Sequence, residues 1–437
     1  MMAIQFSVKD GRRWKPPFFT IWGGQALSLL GSQLVQFALI WYLTVETSSA
    51  TVLATASLVG LVPHVVLGPI VGTLVDRWDR RRTMLIADGI ITLATILLAA
   101  LFALDLVAIW HIYLVMFIRS LAGGFHGNAM GASTSLMVPV EHLTRIQGIN
   151  QMLNGGLNVV AAPLGAILLE ILPLQGILAI DVITAAFAIL PLLFFRVPQP
   201  EKIERQVKYG AEQPSVWQDF KEGLRYMAGW PGLMLIALMA VTINFLLTPA
   251  FSLLPLLVKD YFGGGALELG WVNSASGIGV IVGGLILGVW GGFKKRKIVT
   301  TFFGLFGMGV GILVLSQAPA NSILWAIGAV LIVGIMQPIT NGPIGGVMQS
   351  RVEPDMQARV FSLLGSMAGG MSPIGLLLAG PISDRVGIQA WFLLGGILCI
   401  LMAVAGMMIP AVRNIETERP GLYKHQEEGL PDPLPGD

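Results

Sequence analysis

Twelve apolar runs of about 20 residues, separated by short connections that gather Lys and Arg, constrain this chain more than any other feature. A hydrocarbon core about 30 Å thick takes roughly 20 residues of helix to cross. Lipid offers no partner to a backbone N–H or C=O, so every run must be helical. The runs fall near 18–43, 52–75, 83–104, 108–128, 147–169, 176–195, 232–257, 270–291, 298–317, 322–343, 360–382 and 390–410. A set of soluble domains is excluded: charged residues are 12% of the 437, roughly half the usual fraction, and cannot cover such surfaces. A net charge of +2 gives no reason to expect nucleic acid as a partner. The single cysteine, Cys399, rules out an intrachain disulfide and any Cys-based metal or redox site. No cleavable signal is expected, because residues 1–17 carry Lys9, Arg12, Arg13 and Lys15 without a small-residue cleavage site after the first apolar run.

Orientation follows from the basic residues. The connections on the side of the N-terminus hold 24 of the 27 Lys and Arg; the other side has Lys259 and Arg385, and Arg119 lies inside a run. Basic connections stay cytoplasmic, so both termini are expected in the cytoplasm of a multi-pass protein of the cell (inner) membrane. Trp41, Tyr42, Trp110, Tyr113, Tyr261, Trp271 and Trp391 lie near the outer ends, where interfacial aromatics belong. Glycine pairs at i, i+4 (Gly68 and Gly72, Gly284 and Gly288, Gly307 and Gly311) are candidates for close helix contacts.

A shift of 214 residues superimposes the two halves. Arg80–Arg82 falls on Lys294–Arg296, Val138–Arg145 on Val352–Arg359, and Gln175 on Gln389. Like-oriented repeats imply two bundles related by an axis along the membrane normal, with a cavity between them that rocks open to either side. The expected organisation is a cytoplasmic segment 1–17, a six-helix bundle 18–195, a linker 196–231, a second bundle 232–410 and a disordered tail 411–437. In the linker, Val216, Phe220 and Leu224, with Lys221 and Arg225 between, suit an amphipathic helix on the membrane surface. No ring of filter residues points to a channel. No phosphate-binding loop or soluble nucleotide domain is present, so energy is expected from an ion or substrate gradient with no cofactor.

Polar residues inside the runs are the candidate machinery. Asp88, Arg119 and Asp181 are ionisable groups at membrane depth, where each needs a partner, and the two carboxylates are candidates for proton coupling. Asn150, Asn154 and Asn158 share one helical face. With Gln25, Gln36, Asn244, Gln337 and Asn341 this places Asn154 and Asn158 in the expected wall of a substrate cavity. The mostly neutral lining suits an amphipathic or apolar small molecule. His64 reads as a packing residue, and His126 and His142 as interfacial ones.

The loop Gly72-Thr-Leu-Val-Asp76-Arg77-Trp-Asp79-Arg80-Arg81-Arg82 resembles the signature between the second and third helices of the major facilitator superfamily. The resemblance implies a twelve-helix major facilitator fold and a gate at the cytoplasmic side built on Gly72, Asp76, Arg77, Arg80 and Arg81. Arg119-Ser-Leu-Ala-Gly123 is similar to the family's R-x-x-x-G pattern of drug antiporters, which implies a part for Arg119 in proton coupling, whereas Ala162-Pro163-Leu-Gly165 is a degraded form of its helix-five motif. Stretches such as Phe19–Ser28, Ala87-Asp88, Ala179–Val182, Arg359–Leu363 and Asp384–Gly387 look like the bacterial macrolide-efflux group. That likeness implies a non-enzymatic, proton-driven exporter of amphipathic compounds, acting as a monomer in contact with membrane lipid. Lysophospholipid movement and siderophore export are the alternatives within the same fold.

Overall fold

A computed structural model describes residues 14–199, 216–294, 296–320 and 322–417. Residues 1–13 and 418–437, the two ends of the expected terminal segments, lie outside this range, as does 200–215 of the linker. Among the described residues twelve long helices run back and forth: α1 (Lys15–Thr47), α2 (Ala50–Arg77), α3 (Arg80–Ala103), α4 (Ile109–Met137), α5 (Val140–Ile171) and α6 (Leu174–Phe194), then α8 (Pro231–Ser252), α10 (Ala266–Trp290), α11 (Lys297–Gln317), α12 (Ile323–Arg351), α13 (Pro354–Val386) and α14 (Ile388–Met408). Shorter pieces are α7 (Val216–Ala228), α9 (Leu254–Leu256) and α15 (Pro410–Arg413). Eleven of the twelve are long and apolar enough to cross a membrane; α4, diluted by His111, Arg119 and His126, is the exception.

Most helices outrun the apolar stretches that announce them, because hydropathy marks the lipid-embedded part and the helix continues past it. α4 extends to Met137 and α13 begins at Pro354. The seventh run is a correction of the opposite kind. α8 stops at Ser252, and Pro255, which has no N–H to continue the ladder, is followed by a π turn at Leu257–Tyr261.

α1 packs on α5 and α6, α3 on α4 and α6, and α2 on α4; in the second half α11 packs on α12 and α14, α10 on α12, and α8 on α13 and α14. The halves meet chiefly along α5–α10 and α2–α13. Both seams close at one end only. A Cβ on Gly270 would lie 3.0 Å from Pro163 Cα and one on Gly277 2.8 Å from Val159 Cγ2, yet Gly284, Gly288, Gly155 and Gly148 face nothing within 4 Å. Along the other seam a Cβ on Gly380 would lie 2.7 Å from Thr51 Cα, whereas one on Gly370, Gly365, Gly60 or Gly72 would meet nothing within 4 Å. The bundle is therefore sealed at the end opposite its basic connections and splayed at the basic end.

Of the three glycine pairs, only Gly307 and Gly311 pack closely, against Met336 and Val333 of α12; Gly68, Gly72, Gly284 and Gly288 face open space. Trp391 is not an interfacial anchor: it is buried, and its indole N–H donates to Leu246 O at 2.8 Å. The first residues of the tail 411–437, expected to be disordered, are ordered in the structure. Val412 and Ile415 are fully buried, and Glu416 accepts the Ile298 N–H at 2.6 Å, capping the start of α11. The linker helix α7 lies on α13 through Gly223, Tyr226 and Met227, with Glu222 2.6 Å from Arg359 Nη1; Phe220 and Leu224 face outward.

Candidate transport cavity and coupling site

The splayed halves enclose a cavity of three adjoining lobes. One of about 610 Å³ lies in the first half and is lined by Gln25, Gln36, His64, Asp88, Arg119, His126 and Asp181. A second, about 620 Å³, lies in the second half, where Asn244, Thr248, Gln337 and Asn341 are among the neutral polar residues of a largely apolar wall. The third, about 550 Å³, touches both halves through Gln36, Asn158, Asn273 and Gln337. Gln36 and Gln337 each line two lobes, so the three lobes adjoin one another.

Of the residues expected to line a cavity, Gln36, Asn158, Asn244, Gln337 and Asn341 do so. Gln25 also lines it but is 5% exposed, with its amide turned to Asp88. Asn154 is exposed nearer the basic end and outside the three lobes, and Asn150 instead accepts the Trp22 indole N–H at 2.7 Å, tying α5 to α1. Asn244 bonds back to Ala240 O at 2.9 Å, so part of its hydrogen-bonding capacity is spent within its own helix.

The ionisable residues sort into two pairs that the sequence leaves unassigned. Arg119 (α4) and Asp181 (α6) meet at 2.5 Å, and both are nearly buried. The cluster is completed by Ser32, whose hydroxyl donates to Asp181 Oδ1 at 3.2 Å, and by Thr95, which donates to Oδ2 at 3.2 Å and accepts from Arg119. Gly31 allows this: a Cβ there would strike Thr184 Oγ1. Asp181 is thus an interior ion-pair residue. Asp88 (α3) has looser company. Gln25 Nε2 is 3.5 Å away, and His126 Nδ1 lies 2.9 Å from Oδ1, although the ring does not aim an N–H squarely at it. Sequence reasoning set His126 at the interface; its position is 38 residues from Asp88, and only the α3–α4 packing brings them together. His64, read as a packing residue, also lines the cavity.

At the basic end, the loop between α2 and α3 serves the first half itself. Asp79 accepts the Arg82 N–H at 2.8 Å and caps α3. Arg80 Nη1 donates to Ala132 O at 2.7 Å, and Arg81 donates to Leu192 O and Leu193 O at 2.5 and 2.8 Å. These are the carbonyl-rich ends of α4 and α6, where a cation is favoured. Arg80 and Arg81 therefore hold backbone carbonyls. Arg77 is exposed, and the Asp76 side chain lies outside the described residues. Gly72, expected to pack tightly on another span, faces the open gap in this conformation.

The sealed end carries a clamp that the sequence does not announce. Asp384, in the last turn of α13, accepts the N–H groups of Ala50 (2.7 Å) and Thr51 (3.1 Å) and the hydroxyls of Thr51 (2.6 Å) and Ser49 (3.3 Å). These are the orphan donors of the first turn of α2. Lys259, carried by the π turn, donates to Thr44 O at 3.3 Å, Val45 O at 3.4 Å and the Ser48 hydroxyl, at the carbonyl end of α1. Two opposite charges from the second half thus grip the two helix ends of one hairpin in the first, each matched to the local dipole.

A family model described as Major Facilitator Superfamily matches residues 21–375 and 233–430. Macrolide efflux protein A of Streptococcus pyogenes is 35% identical over 404 residues, 92% of this chain and 98% of that one. The protein of the same name from Enterococcus faecalis is 33% identical over 75% of this chain and 99% of its own, and the multidrug efflux pump Tap of Mycolicibacterium fortuitum is 27% identical over 88% and 94%. Among solved structures, a mutant of the peptide transporter POT with sulfate superposes with a TM-score of 0.69 at 12% identity, covering 94% of this chain and 98% of that one. A mutant of the nucleoside transporter NupG gives 0.66 at 14%, covering 89% and 99%. At such identities these two speak for the fold alone. With its apolar spans and split bundle, the chain belongs to the Major Facilitator Superfamily and is a multi-pass membrane transporter, not an enzyme.

Proposed function

We propose that the protein exports hydrophobic or amphipathic small molecules, macrolide-like drugs among them, across the cell membrane in exchange for protons, by alternating access. The observation that carries this reading is a cavity sealed at one end by the Asp384–α2 clamp, splayed at the other, and containing buried acid–base groups on its wall. The basic face is taken as cytoplasmic, with both termini on that side, so the cavity receives its cargo from the cytoplasm and from the inner leaflet. The apolar wall of the second-half lobe, with only a few neutral polar groups, fits a bulky ligand held by burial and a small number of hydrogen bonds. The relatives named for macrolide efflux and multidrug efflux support the cargo class. The protein works as a monomer surrounded by lipid, with the proton gradient as its energy source and no cofactor.

The test is uptake of radiolabelled erythromycin into everted membrane vesicles from an efflux-deficient host, with and without a protonophore. Concentrative uptake that collapses with the protonophore is the expected result. Uptake indifferent to the gradient would remove proton exchange and favour a flippase-like reading of the same fold.

A further inference from the structure

We propose that Thr301, with Gln337 and Asn341, forms a hydrogen-bonding subsite in the second-half lobe for an uncharged, oxygen-bearing ring of the cargo. The Thr301 hydroxyl selects compounds that carry a hydroxyl or carbonyl oxygen where they meet it. This deepens the export reading above and rests on it. A hydroxyl inside a helix has a ready acceptor in the carbonyl one turn back. Around this lobe the hydroxyls are used: Thr340 donates to Met336 O at 2.8 Å, Ser252 to Thr248 O at 2.9 Å, and Ser372 to Thr248 Oγ1 at 3.1 Å. Elsewhere on α11, Thr300 accepts the Phe293 N–H at 2.8 Å and Ser316 donates to Leu313 O at 3.0 Å.

Thr301 departs from this pattern. It lines the lobe and is 3% exposed, and its hydroxyl has no hydrogen-bond partner among the described residues. Lys297 O, four residues back in α11, is the usual acceptor and is not taken. A buried hydroxyl without a partner carries the full cost of its desolvation. A ligand oxygen that reaches it removes that cost on binding, and an analogue without the oxygen does not, which is how a built hydrogen-bonding site discriminates.

The rest of the lobe fits the same kind of ligand. Phe302, Leu305 and Met308 continue the α11 wall in hydrocarbon. A Cβ on Gly304 would lie 2.7 Å from Thr340 Oγ1, so α11 lies tightly on α12 one turn from Thr301. On α12, Gln337 and Asn341 stand one turn apart, both exposed and both lining the lobe, with no side-chain hydrogen bond among the described residues. None of the described residues lining this lobe is ionisable, so a charge placed there would be buried without a counter-charge. The chemical class that follows is a mostly hydrocarbon ring system, neutral where it enters the lobe, with hydroxyl or carbonyl oxygens on its edge.

The experiment measures binding of two neutral lactone rings to the purified full-length protein in nanodiscs, with empty nanodiscs as the reference. Erythronolide B carries several hydroxyls; cyclopentadecanolide carries none. Thr301→Val, close to the same shape, should weaken erythronolide B binding about threefold to tenfold, the usual worth of a neutral hydrogen bond, and leave cyclopentadecanolide binding as in the wild type. Thr301→Ser should restore erythronolide B binding. Asn341→Ala should also weaken erythronolide B more than cyclopentadecanolide. Without ligand, Thr301→Val should melt at or above the wild-type temperature, because the hydroxyl it removes has no partner to lose. Equal effects on the two lactones, wild-type binding of erythronolide B by Thr301→Val, a lower melting temperature of that variant without ligand, or no erythronolide B binding to the wild type would overturn the assignment. The vesicle assay separates this subsite from the export reading. Protonophore-sensitive erythromycin uptake alongside wild-type binding of erythronolide B by Thr301→Val removes the subsite and spares proton-driven export; protonophore-insensitive flux with the expected binding pattern does the reverse.

Discussion

Asp384 accepts the backbone N–H of Ala50 at 2.7 Å, across the boundary between the two six-helix bundles. The carboxylate stands at the positive end of α2, where a negative charge gains from the unpaired N–H groups and from the helix dipole. α2 and α13 run antiparallel, so the end of α13 meets the start of α2 at the sealed face. The conformation described here engages the Asp384 end of this seam.

Replacing Asp384 with Asn keeps the shape but weakens four contacts that gain from the charge. Charge-assisted hydrogen bonds are worth about 1.5–3 kcal/mol each, part of which water recovers at this partly exposed site. The expected result is a shift of about tenfold or more toward the outward-open state, read as reactivity of a cysteine placed at Ser57 toward an impermeant reagent in a Cys399→Ala background. Reactivity equal to that of the parent would dismiss the clamp.

Lys259→Met should act in the same direction with a smaller effect. Its ammonium is a quarter exposed and shares its charge with Asp260 at 3.6 Å, and such partly solvated pairs contribute little. A double-mutant cycle with Asp384→Asn checks whether both grip the same hairpin, since sites joined by one rigid element couple where independent ones add.

Asp181→Asn leaves the Arg119 guanidinium buried without its counter-charge. Breaking one side of a buried pair costs about 3–5 kcal/mol, so thermal unfolding in detergent should fall markedly. The double variant Arg119→Gln, Asp181→Asn should lose less than the sum of the single losses. An Asp181→Asn protein as stable as the wild type would show that the pair is not closed in solution.

Glycines on the two seams should respond differently. Gly270→Leu has no room beside Pro163 and should force the sealed end apart, with loss of stability. Gly72→Leu faces open space here, so its fold and unfolding temperature should match the wild type while transport slows, because the side chain obstructs only the closure of the basic end. Equal behaviour of the two variants in both assays would contradict one-sided opening.

The spans and the family were legible because hydropathy and basic clusters act locally, within single segments. The α2–α3 loop was legible for the same reason, although its arginines turn out to hold the carbonyl ends of α4 and α6. Pairing was not legible. Asp181 and Arg119 lie 62 residues apart, and no spacing rule joins helices that meet only through tertiary packing. Asp384 stood out only as part of a family-like stretch, and its role depends on which helix start lies opposite. Lys259 counted as a stray cation on the wrong side of the membrane, and the π turn that aims it follows from Pro255 in a way that an apolar run conceals. Trp391 shows the limit of the aromatic-belt rule: its position along the chain was right for an interface, and packing against α8 buried it.

The most direct test of the rocking mechanism is the distance between spin labels at Met152 of α5 and Gly288 of α10, compared with a second pair at the sealed end, Val45 and Leu324. Both pairs are measured in nanodiscs for the wild type and for Asp384→Asn. The account expects the variant to shorten the first distance and lengthen the second together, as two rigid halves pivot about the cavity. Opening at one end without closure at the other, or distances that do not change, would contradict it.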